Sequence, residues 1–562
     1  MIMAPRVRVS IQSVVADYDN GNKTGLENLI RAFRAIQALP PSDPDSFESI
    51  AGYHGEPFTE APPKPIKDYW GGYCQHDTIL FPTWHRALVL RFERALQNKG
   101  PDPNLSLPFW DECAGVQDSQ DPDHPIAPDT PVPPIFTSPV LTFQVDGSDA
   151  NPLYSYSLQQ TLIDDESGLE DPGPDANRYT KQAGYQTLRY PMSGLMGTEQ
   201  RREATLAHNM AMDEQFPTDY DKAGALNANV KAWLQGTVII PDLGDNAKIP
   251  DHYSIYNRYV RCLNIPFYEL FSNKTTKNAW LASFGPNNQP KSDTYVSLEE
   301  PHNAIHLSVG GFYQPAIYNA DSIKGANGDM GENNTAAFDP IFFFHHCFVD
   351  YVFWQWQIRQ QQTSAITLKP SVDTAGFVSG GHPGMKVGTL LDLDTPLAPI
   401  LKPDATNSSD FYTSNDVIDI ENQLGYTYGP GSLTAKKHPF LDGPAQPPSK
   451  LLHVHGGSKG GIPGSFIMRT FIDDKNGRAF EIGRTEVLSR YKIERCANCQ
   501  NHMEVTDIIP LHKSVLPLLK GGGQTLEELN VRVFMQTHDE PVPTELKQPV
   551  GGVHWTDFEK SS

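Results

Sequence analysis

Cysteine is scarce in this chain: Cys74, Cys113, Cys262, Cys347, Cys496 and Cys499 are the only six in 562 residues. That is too few for a disulfide scaffold of this size and fits a reducing compartment. No apolar run reaches the roughly eighteen residues that a membrane-spanning helix needs, so a membrane is not an expected partner. The opening MIMAPRVRVSIQ has no apolar core of a secretory leader, which leads to the expectation of a cytoplasmic protein. Basic residues are outnumbered, 45 against 67, and the net charge of -22 makes nucleic acid and anionic lipid poor partners. Internal repeats and long runs of one charge sign are also missing, which excludes a solenoid or a multi-unit array. Without a leader, the sequons at Asn22, Asn104, Asn273 and Asn407 read as chance.

What the chain has is enough apolar material for a core: 38% hydrophobic and 10% aromatic residues. Its length calls for more than one core, so a large and a small domain are expected. Leu26, Leu29, Ile30, Phe33 and Ile36 form a helical stripe within 26–39. Over 82–97, Pro82 suits a first helical turn, and Leu88, Phe92 and Leu96 line one face. Residues 345–362 read as a third helix. Most of the 48 prolines and 44 glycines sit in long connections such as 117–139 and 366–406. After about residue 450 the pattern changes to short β-rich runs, 465–473, 478–483 and 530–536. The expected division is a mainly α domain over 1–428, a linker over 429–450, and a smaller β-rich C-terminal domain over 451–562.

Eighteen histidines are present, and their grouping is informative. His54 stands in GYHGEP and His76 in GGYCQHD. His85 lies near the start of the second helix, three residues before Leu88, and so faces inward. His302 and His306 stand four apart in PHNAIH, where a helix opened by Pro301 puts both rings on one face. His346 follows in DPIFFFHHCFVDYVFWQWQ. Two trios of neutral imidazoles without a clear carboxylate suit copper better than magnesium or calcium, with zinc the competitor. A zinc protease needs Glu directly after the first histidine of such a pair, and here that residue is Asn303.

The run GGYCQHDTILFPTWHRALVLRFERAL resembles the first copper motif of the type-3 copper proteins: tyrosinases, catechol oxidases and haemocyanins. SLEEPHNAIH with GDMGENNTAAFDPIFFFHHCFVDYVFWQWQ resembles the second, and LPFWDE at 107–112 resembles a further family segment. The likeness covers most of 50–360 and is nearest to fungal tyrosinase precursors. It implies a four-helix-bundle core with two copper ions, the first on His54, His76 and His85, the second on His302, His306 and His346. Of the adjacent pair, it makes His346 the ligand and sets His345 behind it, off the metal. It implies a thioether between Cys74 and His76. Glu299 and Asn303 then position a water as base for deprotonating an incoming phenol, a task a carboxylate near the metals suits. Where many relatives have Arg, this chain has Tyr351, so a local ion pair is in question. An aromatic wall from Phe342, Phe343 and Phe344 is the expected place for a phenol to stack, with at least two of the three committed to the core.

The resemblance also makes the C-terminal domain a shield, removed by an activating protease near Lys436-Lys437 in the linker. Tyr426 and Tyr428 of GYTYG close the catalytic core, next to Arg6 or Arg8. Cys496 and Cys499 match a C-x-x-C that helps load copper, since soft thiolates select Cu(I), with His502 as a helper. The segment 486–491 is the candidate for a placeholder in the substrate pocket. The implied activity is O2-dependent ortho-hydroxylation of monophenols and oxidation of o-diphenols to quinones. A catechol oxidase or o-aminophenol oxidase, and a haemocyanin-like O2 carrier, remain alternatives. Small phenols and O2 are the expected partners, and self-association into a homo-oligomer is compatible with all of this.

Overall fold

Fourteen residues between Thr24 and Gln37 form helix α1, and the apolar stripe read from the sequence is its buried face. The structure, a computed structural model, describes residues 4–55, 72–118, 125–163, 180–194, 199–236, 254–283, 295–312, 323, 325–368, 375–379, 385–403, 405, 407, 410–438, 450–459, 462, 464–473, 479–490, 499, 503–511, 530–536, 544–545 and 553–557. A short helix α2 (Phe47–Ala51), capped by the Ser46 hydroxyl, leads into the loop with His54. Helix α3 (Phe81–Lys99) opens with Pro82 in its first turn, where a missing N–H costs nothing. Helices α4 (Asp219–Gln235), α5 (Ile255–Cys262) and α6 (Lys274–Ala282) follow. Then come α7 (Glu299–Gly310) and α8 (Ile341–Gln360). Helix α3 packs on α1 and α8, while α7 packs on α4 and α5. No described helix is long and apolar enough to cross a membrane.

The aromatic triplet at the start of α8 divides its labour. Phe343 stacks flat on Phe92, with centroids 3.5 Å apart, and Phe344 packs between Phe33 and Phe136. Both are core, each stabilising by about 1.5–3 kcal/mol through burial. Phe342 turns the other way, 3.9 Å from the ring of His346 and 4.7 Å from that of His54.

A charged knot closes the helical domain. Strand β1 (Arg6–Arg8) pairs in parallel with β2 (Tyr426–Tyr428), Arg6 opposite Tyr426 and Arg8 opposite Tyr428. The Arg8 guanidinium lies 3.7 Å from the Tyr426 ring and donates to Glu93 and Asp350. Asp350 also accepts from Arg86 Nε at 2.5 Å and from both tyrosine hydroxyls at 2.7 Å. Burial alone would raise the Asp350 carboxyl, but Arg86 and Arg8 outweigh it and hold it below the usual range. A lowered carboxylate contributes stability above its unfolded value of about 3.9. That contribution is lost as pH falls through the folded value. Asp350→Ala leaves two buried guanidiniums short of their acceptor and should cost about 3–5 kcal/mol. Denaturant unfolding at neutral pH measures this, and an unchanged midpoint would count against the knot. Tyr351, one residue on, makes no ion pair. It stacks on Phe109 at 4.7 Å and its hydroxyl meets Thr434 at 2.9 Å, tying α8 to the start of the linker.

The C-terminal part is a two-sheet unit. One sheet orders β5 (Ala479–Val487), β4 (Phe466–Asp473), β7 (Val531–Gln536) and β8 (Thr544–Glu545). The other orders β6 (Glu504–Leu511), β3 (Lys450–Ser458) and β9 (Val553–Asp557). Strand alternation explains how it docks. Phe466 and Met468 enter the unit's own core with Leu452, Val454 and Ile482. Ile467, between them, points the other way and joins the core of the helical domain. Leu451 and Ile508 likewise pack on Leu281 of α6. Asn273 caps α6 through its side chain and is fully buried, so that sequon is unavailable to a glycan. Cys496 and His502, and residues 439–449 of the linker, lie outside the described residues.

Candidate metal centre

Three elements and two loops converge on one buried cluster. His85 projects from the first turns of α3, His302 and His306 from one face of α7, and His345 and His346 from the start of α8. His54 follows α2, and His76 precedes α3. All seven are buried. The two trios the sequence proposed adjoin each other: the His85 and His346 rings are 4.8 Å apart, those of His76 and His302 5.5 Å. One ring nitrogen from each of His54, His85 and His346 lies within 4.8 Å of the others, and the same holds for His76, His85 and His302. The His302 Nε2 atom is 3.1 Å from Nε2 of both His306 and His346.

The second ring nitrogens explain the aim. Nδ1 of His85 meets the Phe81 carbonyl at 2.8 Å, that of His306 the Met330 carbonyl at 2.8 Å, and that of His346 the Phe342 carbonyl at 2.9 Å. A carbonyl can only accept, so Nδ1 carries the proton and Nε2 presents its lone pair inward. His302 Nδ1 is held by the Asn303 side-chain oxygen at 2.9 Å. Burial lowers every imidazole here, His85 to about 3 and His306 to about 4, so the cluster is neutral at pH 7. Nε2 of His85 and both ring nitrogens of His54 are buried with no hydrogen-bond partner. Leaving such atoms unpaired is costly, and a metal ion is the partner that neutral, converging lone pairs fit.

Glu299 begins α7 but does not cap it. Its two oxygens accept the backbone N–H groups of Asp77 at 3.0 Å and Lys274 at 3.2 Å, tying the His76 loop to α6. Burial, and then the neighbouring Asp77 charge, push its carboxyl up to about 7. Cys74 is a buried thiol whose sulfur lies within 4.8 Å of a ring nitrogen of His76 and of His54.

The β-rich unit covers this cluster with the segment 486–490. The Glu486 carbonyl receives Asn303 Nδ2 at 3.4 Å, and its carboxylate pairs with Arg258 at 2.7 Å. Arg490 reaches Asn334 at 3.3 Å and the Cys74 sulfur at 3.6 Å. Lys459 pairs with Asp77 at 2.7 Å. Between Cys74, His76, Leu488, Arg490 and Cys499 remains a cavity of about 20 Å³. That is room for about one water and far too little for an aromatic ring. Cys499 is itself disulfide-bonded.

Two groups here escaped the sequence reading. One is Glu112, whose carboxylate lies 2.5 Å from Nδ1 of His345. Asp77 and Lys459 join the two domains, a pairing across hundreds of residues that no local pattern signals. LPFWDE, already singled out as a segment, was the available hint for Glu112.

Converging neutral imidazoles on three buried helices and two loops define a histidine-ligated transition-metal protein. Residues 44–359 match the family model described as the common central domain of tyrosinase. The tyrosinase HcTyr2 of Hahella sp. is 41% identical over 529 residues, covering 90% of this chain and 88% of that protein. A tyrosinase of Aspergillus oryzae is 39% identical over 507 residues, covering 87% of each. The solved tyrosinase of Burkholderia thailandensis, at low pH, superposes with a TM-score of 0.73 at 40% identity over 96% of each chain. The chain belongs to the tyrosinase family and is a copper oxidoreductase of the tyrosinase type. An A. oryzae pro-tyrosinase structure, with a TM-score of 0.58 and 18% identity over 99% of this chain and 94% of that one, shares the fold of both domains.

Proposed function

We propose that this chain is a latent tyrosinase, hydroxylating monophenols at the ortho position and oxidising o-diphenols to o-quinones. The observation that carries this reading is a segment of the β-rich unit lying directly on the residues of the metal cluster, with the Glu486 carbonyl on Asn303. In it, His54, His76 and His85 hold one copper and His302, His306 and His346 the other. Bound copper supplies the redox chemistry that activates O2.

The chain's own residues do the rest. Carbonyl-anchored Nδ1 atoms fix the direction of each Nε2. Phe342, against His54 and His346, gives an apolar face for the substrate ring. Glu299 takes the phenol proton, directly or through a water, and Asn303 orients that water while holding the His302 ring. Cys74 joins His76 in a thioether that stiffens the first site: the S–H and one ring C–H bond break, and the two protons and two electrons released would go to O2, the oxidant of the proposed reaction. Cys496 and Cys499 pass copper inward, and Cys499 lines the same cavity as Cys74 and His76. Thiolates, not a disulfide, bind Cu(I), so this route needs reduction first. Cleavage within 429–450 frees the lid.

Copper-loaded protein supplied with a monophenol, before and after limited proteolysis, tests the reading. Turnover only in the cut sample is expected; equal turnover in both would refute latency, and turnover of catechols alone would refute the hydroxylase. Loosening the latch should mimic the cut. Lys459→Ala with Arg490→Ala removes the lid's grip on Asp77, Asn334 and Cys74. If the closed form loses about 1.4 kcal/mol, uncut activity rises about tenfold.

A further inference from the structure

One contact between the two domains sets a carboxylate of the β-rich unit beside the metal cluster. Glu486 stands opposite Ile467 in the pairing of β4 with β5, and cross-strand partners share a face of the sheet. Ile467 enters the helical domain, so Glu486 points there too, while Val487 turns back into the unit's own core. The Glu486 carbonyl takes Asn303 Nδ2 at 3.4 Å and Lys274 Nζ at 3.3 Å. Asn303 is the residue that holds His302 Nδ1. One side chain's length away, the Glu486 carboxylate pairs through Oε2 with Arg258 of α5 at 2.7 Å. Leu488 lines the cavity with Cys74 and His76. Its Cα is two residues from that of Glu486, no more than about 7 Å of chain. An apolar group by the histidines and a carboxylate a short reach away trace the outline of a phenol with an acidic side chain.

Arg258 and Lys274 belong to the helical domain and stay when the lid leaves. Both are more than nine-tenths buried in the closed form. Glu300, whose charge Arg258 also feels, is taken by Lys277 at 2.7 Å and by the Ser297 N–H at 2.6 Å. Glu486 Oε1 is buried with no hydrogen-bond partner. The strand thus brings one oxygen to Arg258, whereas a guanidinium can hold a carboxylate through two. A carboxylate free of the strand can present both.

We propose that Arg258 and Lys274 form a carboxylate subsite beside the metal centre, that Glu486 fills it in the uncut chain, and that the opened enzyme selects phenols with a carboxylate on a short para side chain. This rests on the tyrosinase reading of the same centre and names its substrate class. Arginine suits the task through its rigid fork of donors. An ammonium on the same side chain would add a further cation beside Arg258 and Lys274. The subsite therefore favours net-anionic phenols over zwitterionic ones.

The test compares kcat/KM of the copper-loaded, proteolysed enzyme for 3-(4-hydroxyphenyl)propionate, its uncharged propionamide and its 2-amino derivative. The propionate is expected to lead the propionamide by about tenfold or more, the worth of a charge-assisted hydrogen bond, and to do so through KM. The 2-amino derivative should trail the propionate. Arg258→Gln and Lys274→Gln should each shrink the ratio of propionate to propionamide. Equal losses on both substrates in Arg258→Gln would mark a structural role and overturn the proposal, as would no lead in the wild type. Equilibrium dialysis of 3-phenylpropionate and 3-phenylpropionamide against the metal-free, proteolysed wild type needs neither turnover nor a variant. The acid should bind more tightly, and more tightly to the cut than to the uncut chain; equal binding of acid and amide would overturn the subsite. No turnover of any phenol, with the acid still preferred in dialysis, would instead sink the tyrosinase reading and leave the subsite standing.

Discussion

His302→Ala is expected to remove one metal equivalent and to lower phenol turnover by more than about a thousandfold, because it deletes a group on which the metal's transition-state chemistry depends. His302 is central in the geometry as well as in the motif. Its Nε2 lies 3.1 Å from Nε2 of both His306 and His346, and its ring is 5.5 Å from that of His76. It therefore borders both trios. The loss should not be structural, since Asn303, the side chain that holds its Nδ1, keeps its second contact to the Glu486 carbonyl. Metal analysis by mass spectrometry, with circular dichroism as the control for folding, checks both parts. Two full equivalents of copper in the folded variant would remove His302 from the site.

The second large effect concerns Glu299. Glu299→Gln keeps an acceptor oxygen and nearly the same shape, so one of its two backbone hydrogen bonds, to Asp77 or Lys274, can survive. The amide cannot take up a proton. Monophenol hydroxylation should fall about 10²–10⁴-fold, the usual worth of a general base. Oxidation of a catechol, whose protons are more easily lost, should fall far less. The wild-type carboxyl, raised to about 7, is half ionised near neutrality. Hydroxylation in the proteolysed enzyme should therefore rise with pH as this carboxyl ionises, at a value that bound copper moves down from about 7, and be flat in Glu299→Gln. An equal loss on both substrates would assign Glu299 a purely structural role.

The legible part of the site was the part written in local spacing. His302 and His306, four apart on α7, and His85, inward on α3, follow from helical periodicity alone. His54 and His76 sit in loops, where no period applies, and only the family motif pointed to them. The helices carrying the motifs were found with their ends shifted by a few residues; α4, α5 and α6 were missed. Helix α4 shows why: its buried residues Leu226, Asn227, Asn229, Val230, Trp233 and Leu234 include two amides, so its inner face is not an apolar stripe. Tyr351 in place of Arg left the local pairing open, and the structure fills it with stacking and a hydroxyl contact. The β-rich segments were legible as strands, and 486–491 as the segment near the pocket. How they would be held there was not, because Asp77–Lys459 and Arg258–Glu486 join residues remote in sequence.

The reversed side chain of Ile467 has a kinetic meaning. A strand that lends a residue to its neighbour's interior does not leave at once when the tether between them is severed. Peptide-bond hydrolysis and uncovering are then separate events, the second slowed by rehydration of Ile467, Leu451 and Ile508. Nicked enzyme should show a lag before full turnover, shortened by mild denaturant.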